Sequence, residues 1–329
     1  MMLCRDDGRE PHMAAHEGLT RRELLTAAGL AAGAGLLGAW SGHAEEKEGR
    51  PMLHLATNQY PWLTFYGRDK RNFDAALDEA LKEIASTGLN GYEPLATSPQ
   101  QVEQLAPLLK KHSLEMRSLY VNSTLHTQAD AEKSYAQVLA IAEKAKAAGT
   151  RIIVTNPNPV RWGGQENKDD AQLRVQAEAL NTLGQKLAGI GLTLAYHFHD
   201  AEFRNAAREF HHMLVGTDPK LVTLCLDAHW VYRGAGNSAV AVGDIAALYG
   251  PRVSELHARQ SVKNVWTEAL CDGDIDYAAL TKQLLSANVK PHVVIEQAVE
   301  GATPKTMDAV EAHKQSAEYA RRVFAGFAG

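Results

Sequence analysis

From Met52 onward the chain alternates short apolar runs with longer amphipathic ones, and this alternation restricts the fold more than any other feature. The apolar runs cover 53–57, 91–93, 115–121, 151–155, 192–198, 222–226, 253–256 and 292–295. The amphipathic stretches cover 73–86, 99–112, 129–148, 169–190, 206–214, 240–249, 277–287 and 307–324. Apolar residues at i, i+3 and i+4, as in Ala76, Leu77, Ala80, Leu81 and Ile84, mark the latter as helices. Gly88, Gly149 and Gly191 stand as breakers just before the next apolar run. Ile152-Ile153-Val154 and Val293-Val294-Ile295 are apolar without interruption, as parallel strands covered on both faces must be. An unbroken series of eight strand–helix units predicts a closed (β/α)8 TIM barrel, an α/β fold, as one domain over 52–329. Leu55-Ala56-Thr57-Asn58 contains no glycine, which argues against a dinucleotide-binding turn after the first strand.

The residues before this series read as a targeting segment. Arg21-Arg22 precedes a small, mildly apolar core from Ala27 to Trp40, followed by Ser41-Gly42-His43-Ala44. A basic pair, an Ala/Gly/Leu core and a small-x-small terminus form a secretory signal of the twin-arginine type. The core is shorter than the ~20 residues a bilayer span requires. The expectation is cleavage after Ala44, a linker over 45–51, and a periplasmic or secreted protein. No stable membrane span is expected in the mature chain. A net charge of −5 argues against a nucleic-acid partner. Cys4, Cys225 and Cys271 lack metal-finger spacing; the latter two read as small buried or loop residues rather than a disulfide.

In a barrel of this kind the active site sits where strands end and the following loops begin. Each of the last four strands delivers ionisable groups there: His197 and His199, Asp227 and His229, His257 and Arg259, and Glu296. One such residue at a strand end is ordinarily a helix cap or a satisfied polar group. Four in register around half a barrel need a shared partner, because buried charge is costly unless compensated. Imidazoles mixed with carboxylates suit a divalent ion such as Mn, Co, Fe or Zn, and Mg less well. His197 and His199 fall on one face of their strand, so either can be the ligand, with the other orienting it or touching substrate. Glu93, Asn156, Trp62, His229 and Trp230 are further candidates for the lining of a substrate pocket. Asp272–Asp276 lacks the full ligand spacing of a calcium loop and reads as a helix cap.

These segments also carry a resemblance. Tyr196-His197-Phe198-His199-Asp200-Ala201-Glu202-Phe203, Leu226-Asp227-Ala228-His229-Trp230, His257-Ala258-Arg259-Gln260, Asp272-Gly273-Asp274-Ile275-Asp276-Tyr277 and Ile295-Glu296-Gln297 resemble the xylose isomerase-like TIM barrels, in particular the sugar phosphate isomerase/epimerase group. The resemblance implies a divalent metal held by His197, Asp227, His257 and Glu296. It also implies a small carbohydrate substrate. In two places the chain departs from the family pattern: His197 stands where many epimerases carry a glutamate, and Arg259 where a lysine is frequent. The expected function is a metal-dependent isomerase or epimerase working through an enediolate. Glu296 would move the proton, and His199 or Arg259 would stabilise the intermediate. The alternatives are a lyase or dehydratase acting by β-elimination and, in another class, a non-catalytic carbohydrate-binding barrel. Oligomeric state is left open by the sequence.

Overall fold

The structure, a computed structural model, describes residues 52–329. The expected signal over 1–44 and the 45–51 linker therefore lie outside the described residues. The barrel strands are β1 (Leu55–Asn58), β2 (Gly91–Glu93), β3 (Ser118–Tyr120), β4 (Ile152–Thr155), β5 (Thr193–Tyr196), β6 (Val222–Asp227) and β7 (Val253–Ala258). A short antiparallel hairpin follows, β8 (Ser261–Val262) and β9 (Val265–Trp266), before the last barrel strand, β10 (His292–Ile295). The eight barrel strands form one parallel sheet in which β1 pairs with β10, with Thr57 opposite Ile295. Between β2 and β3 the ring is completed by backbone bridges, with Tyr92 N–H donating to the Glu115 carbonyl and Tyr120 N–H to that of Pro94.

The helices are α1 (Gln59–Arg68), α2 (Leu77–Ser86), α3 (Pro99–Lys111), α4 (Gln128–Ala147), α5 (Asp170–Gly189), α6 (Arg204–Val215), α7 (Ala228–Gly234), α8 (Ala239–Tyr249), α9 (Tyr277–Ser286) and α10 (Ala309–Val323). Their apolar faces, for instance Val138, Ile141 and Ala145 of α4 or Leu180, Leu183 and Leu187 of α5, are buried in one continuous core. Gly149 and Gly191 take φ of 102° and 77° just after α4 and α5. Only glycine enters that region at no cost, so these breakers turn the chain directly into the next strand. Asp276 caps α9 by accepting from Ala279 N–H, while Asp274 accepts from the backbone of Lys263 and Asn264 and pins the β8–β9 hairpin.

The sequence reading overlooked α1, α7 and the hairpin. In α1, Pro61 and Gly67 interrupt the helical pattern, although proline is well tolerated in a first turn. The helix α7 is a single short stretch directly following β6. No helix among the described residues is long and apolar enough to cross a membrane. Cys225 and Cys271 are both free thiols, as expected.

Candidate metal centre and substrate cavity

Strand register places the ionisable side chains together. Asp227 ends β6 directly opposite His257 of β7, and His257 in turn lies opposite Val294 of β10. His197 follows β5 by one residue and continues its ladder through His197 N–H to the Thr155 carbonyl, 2.8 Å. Glu296 extends β10 in the same way through its N–H to the Ala258 carbonyl, 2.9 Å. Each of the four offers an atom within 4.8 Å of the other three, and all four residues are buried.

The four residues share one pattern of hydrogen bonding. His197 Nδ1 lies 3.0 Å from the Tyr120 hydroxyl, and Asp227 Oδ1 accepts from His229 and Trp230 N–H at the start of α7. His257 Nε2 lies 3.1 Å from Glu255 Oε1, and Glu296 Oε1 accepts from Arg259 Nη2 at 2.6 Å. The opposite atoms, His197 Nε2, Asp227 Oδ2, His257 Nδ1 and Glu296 Oε2, have no hydrogen-bond partner. Nδ1 of His257 is 2.5 Å from Oε2 of Glu296 without forming a hydrogen bond, and His197 Nε2 is 3.8 Å from Asp227 Oδ2. Buried polar atoms are rarely left unpaired. One orphan from each of two imidazoles and two carboxylates, all facing one point, fits a single divalent cation.

Electrostatics favour the same reading. Burial alone would raise the Asp227 and Glu296 carboxyls, but the neighbouring imidazoles and the Arg259 guanidinium outweigh it and hold both below the usual carboxylate range. Burial holds the His197 imidazole neutral by lowering its pKa. For His257 burial is overcome by its interactions with Cys225, Glu93 and Glu296, and its pKa rises well above the ordinary value.

Above this cluster opens a cavity of about 360 Å³. Glu296 and His199 are on its wall together with Trp230, Tyr60, Tyr120, Asn58, Asn122 and Trp162. The His199 ring sits edge-on to Trp162 and Trp230, at 5.5 and 5.2 Å, with its Nδ1 unpartnered. Burial lowers its pKa to about 3, so it is a neutral imidazole at physiological pH.

Of the side chains expected around the substrate, Trp230 is on the cavity wall and several others are elsewhere. Trp62 is a correction: it is fully buried, donates Nε1–H to Thr57 Oγ1 and stacks on His313 at 4.4 Å. It is Tyr60 and Leu63 of the same helix that face the cavity. Glu93 lies beneath the cluster, accepting from Asn58 Nδ2 and Ser118 Oγ, with burial raising its pKa to about 7. Asn156 donates Nδ2–H to the His197 carbonyl, and His229 turns back to Ser261 and packs on Trp266. Neither belongs to the cavity wall. Arg259 is also fully buried. It grips the Glu296 carbonyl and carboxylate and lies over the Trp266 ring at 4.4 Å, so it acts through Glu296 rather than on a substrate. Asn122 and the exposed Trp162 of the β4–α5 loop were missed. A tryptophan within Val160-Arg161-Trp162-Gly163-Gly164 was the available signal.

The geometry defines a barrel enzyme class with a buried histidine–carboxylate centre at the C-terminal strand ends. Residues 81–323 match the xylose isomerase-like TIM barrel family, and the chain belongs to that family. It is 25% identical over 248 residues to an inosose dehydratase of Clostridium botulinum, covering 67% of this chain and 81% of that relative. Among solved structures it is similar to a sugar phosphate isomerase/epimerase of Parabacteroides distasonis, with a TM-score of 0.65 and 16% identity over 86% of this chain and 97% of that one. It is also similar to the 3-keto-D-glucoside 4-epimerase of E. coli, with a TM-score of 0.61 and 17% identity over 82% and 99%.

Proposed function

We propose that this protein is a metal-dependent enzyme that enolises a polyhydroxylated ketone, a keto-sugar or keto-glycoside, and then eliminates an oxygen substituent from the β-carbon. The observation that carries this reading is the convergence of four unpartnered ligand atoms at the floor of a cavity whose wall holds one carboxylate, Glu296. His197, Asp227, His257 and Glu296 would hold the ion, with Mn, Co, Fe or Zn suited to them and Mg less so. A divalent ion there supplies Lewis-acid polarisation of the ketone and its neighbouring hydroxyl.

Glu296 takes the proton from the carbon beside the carbonyl, and Arg259 keeps its carboxylate aligned and ionised. The electron pair forms the enolate, then the Cα–Cβ double bond as the β-oxygen departs. Glu296 returns the proton to that oxygen, so water or an alcohol leaves and an unsaturated ketone remains. Elimination needs this single base, whereas inversion at carbon calls for a second group charged with a proton. His199, neutral at physiological pH, is poorly suited to that task.

Tyr60, Leu63, Leu95 and Trp162 are all exposed large apolar side chains on the cavity wall, which suits a substrate bearing an apolar face or aglycone beside its polar ring. Export by the twin-arginine-type segment, to the periplasm or beyond, belongs to the same proposal and suits free or oxidised glycosides better than phosphorylated sugars. A second reading, isomerisation or epimerisation, is favoured by the unpartnered Nδ1 of His199 on the wall it shares with Glu296.

The test incubates metal-loaded protein with a panel of oxidised and plain sugars in deuterated water. An unsaturated product indicates elimination. Deuterium at one carbon of an intact sugar indicates isomerisation or epimerisation. Neither product across the panel overturns the enzymatic reading and leaves a carbohydrate-binding barrel.

A further inference from the structure

Beneath the four-residue cluster runs a chain of ionisable side chains that the proposed reaction does not use. His257 Nε2 is 3.1 Å from Glu255 Oε1, Glu255 Oε2 is 3.1 Å from His292 Nδ1, and His292 Nε2 is 3.3 Å from His54 Nδ1. The chain begins at the candidate centre and ends in a pocket at the opposite, N-terminal mouth of the barrel, lined by His54, His292 and Ser254. Glu255 is fully buried. A barrel interior is ordinarily filled by branched apolar side chains, so a carboxylate on the axis calls for an explanation.

We propose that Glu255 is a positioning residue for the metal centre: it accepts a hydrogen bond from His257 Nε2–H and thereby fixes the tautomer and ring orientation that aim the Nδ1 lone pair at the cluster. The inference rests on reading the cluster as a metal site. Glu255 and His257 are two residues apart on β7, so their side chains share one face and a single strand supplies both the ligand and its brace. Nε2 lies on Glu255, and the unpartnered Nδ1 on the other side of the ring faces Glu296 Oε2. Glu93 Oε1 also lies 3.3 Å from Nε2, but Asn58 and Ser118 already donate to its two oxygens. Cys225 Sγ, a weak donor, reaches Glu255 Oε1 at 3.6 Å. His292 occupies the other oxygen of Glu255 and stops the carboxylate from rotating away from His257. His54 in turn steadies His292.

The experiment measures Zn²⁺ affinity of the full-length protein by competition with a chromophoric chelator, and records the visible spectrum of the Co²⁺-loaded protein. The variants are Glu255→Leu, Glu255→Gln, His292→Gln and Asp227→Ala, with thermal unfolding of each metal-free protein as the check on folding. Glu255→Leu should lose about 10- to 100-fold in affinity and alter the Co²⁺ spectrum. Glu255→Gln keeps an oxygen that accepts from Nε2–H and should stay within a few-fold of the parent. His292→Gln should show a smaller loss in the same direction.

Affinity unchanged in Glu255→Leu overturns the inference. So does an equal loss in Leu and Gln, which assigns the effect to charge alone. Should Glu255→Leu not fold, an undiminished affinity in His292→Gln overturns it instead. Asp227→Ala separates the two levels. If it binds Zn²⁺ as well as the parent, or the parent binds none, the cluster itself has been misread and the inference falls with it. If it abolishes binding while Glu255→Leu does not, only the positioning role fails.

Discussion

Arg259→Leu is the sharpest probe of the electrostatics at the centre. The guanidinium is fully buried, its Nη2 donates to Glu296 Oε1 at 2.6 Å and its Nε to the Glu296 carbonyl at 2.9 Å, and Asp227 Oδ2 is 4.0 Å away. Leucine keeps much of the packing against Trp230 and Trp266 and removes the guanidinium charge beside the two carboxylates. Breaking a buried pair by deleting one partner costs about 3–5 kcal/mol, because the other charge is left uncompensated. In a chain of this size each kcal/mol moves the unfolding midpoint by roughly 2–4 °C, so a fall of about 10 °C is expected at pH 7 in chelator-treated protein.

The pH dependence follows from the direction of the shifts. Asp227 and Glu296 are held below their ordinary values in the parent, so they contribute stability above pH ~4 that is lost as pH falls through their depressed values. Without Arg259 burial is less fully offset, both carboxyls shift upward relative to the parent, and the variant gains relative stability as they protonate. The gap between parent and variant should therefore narrow between pH 7 and pH 5. A divalent ion should also raise the midpoint of the variant more than that of the parent, since it restores the missing positive charge. Differential scanning calorimetry at both pH values, with and without Zn²⁺, measures all three. A midpoint shift below about 3 °C at pH 7, or a gap of constant size across the two pH values, refutes the assignment of Arg259 as the counter-charge.

Glu296→Gln should abolish exchange of substrate protons with deuterated solvent, by more than the ~100-fold of a lost general base, because it also weakens the metal site; full exchange would move the base elsewhere. His199→Ala should retain metal by elemental analysis while lowering turnover, and the reverse result would exchange the roles of His199 and His197. Mass spectrometry of the periplasmic or secreted fraction should give a mature N-terminus near Glu45; a full-length cytoplasmic product would contradict export. Chelator treatment should remove activity with restoration by Mn²⁺, Co²⁺, Fe²⁺ or Zn²⁺, measured as turnover on whichever substrate the sugar panel identifies.

The barrel was legible because its signal is periodic: β10 occupies 292–295 as read from the alternation, and the predicted helices agree with those observed to within a few residues. His197, Asp227, His257 and Glu296 were legible because each ends an apolar run, where a strand's period carries the side chain inward. What lies one layer away from the strand ends was not. Trp62 and Tyr60 belong to the same short helix, and the helical turn that buries one and exposes the other to the cavity depends on the unrecognised α1. His229 and Trp230 are adjacent in sequence, yet the first turn of α7 sends only the second to the substrate side. Glu255 escaped notice because a charged residue in the middle of a strand reads as a solvated position until the barrel has closed around it.

Asp227 does two jobs with one carboxylate. Its Oδ1 fastens the amide groups of His229 and Trp230 at the start of α7, while its Oδ2 faces the centre. The floor of the cavity and its tryptophan wall are therefore joined by a single side chain. Whatever tightens one end of that carboxylate restricts the other, so the proposed cation at the floor and sugar against Trp230 would bind as thermodynamic partners. By linkage the advantage is mutual: the factor by which the cation strengthens sugar binding is the factor by which sugar strengthens retention of the cation. Under the proposed function, the metal would be held most firmly during turnover and released most readily in the absence of substrate.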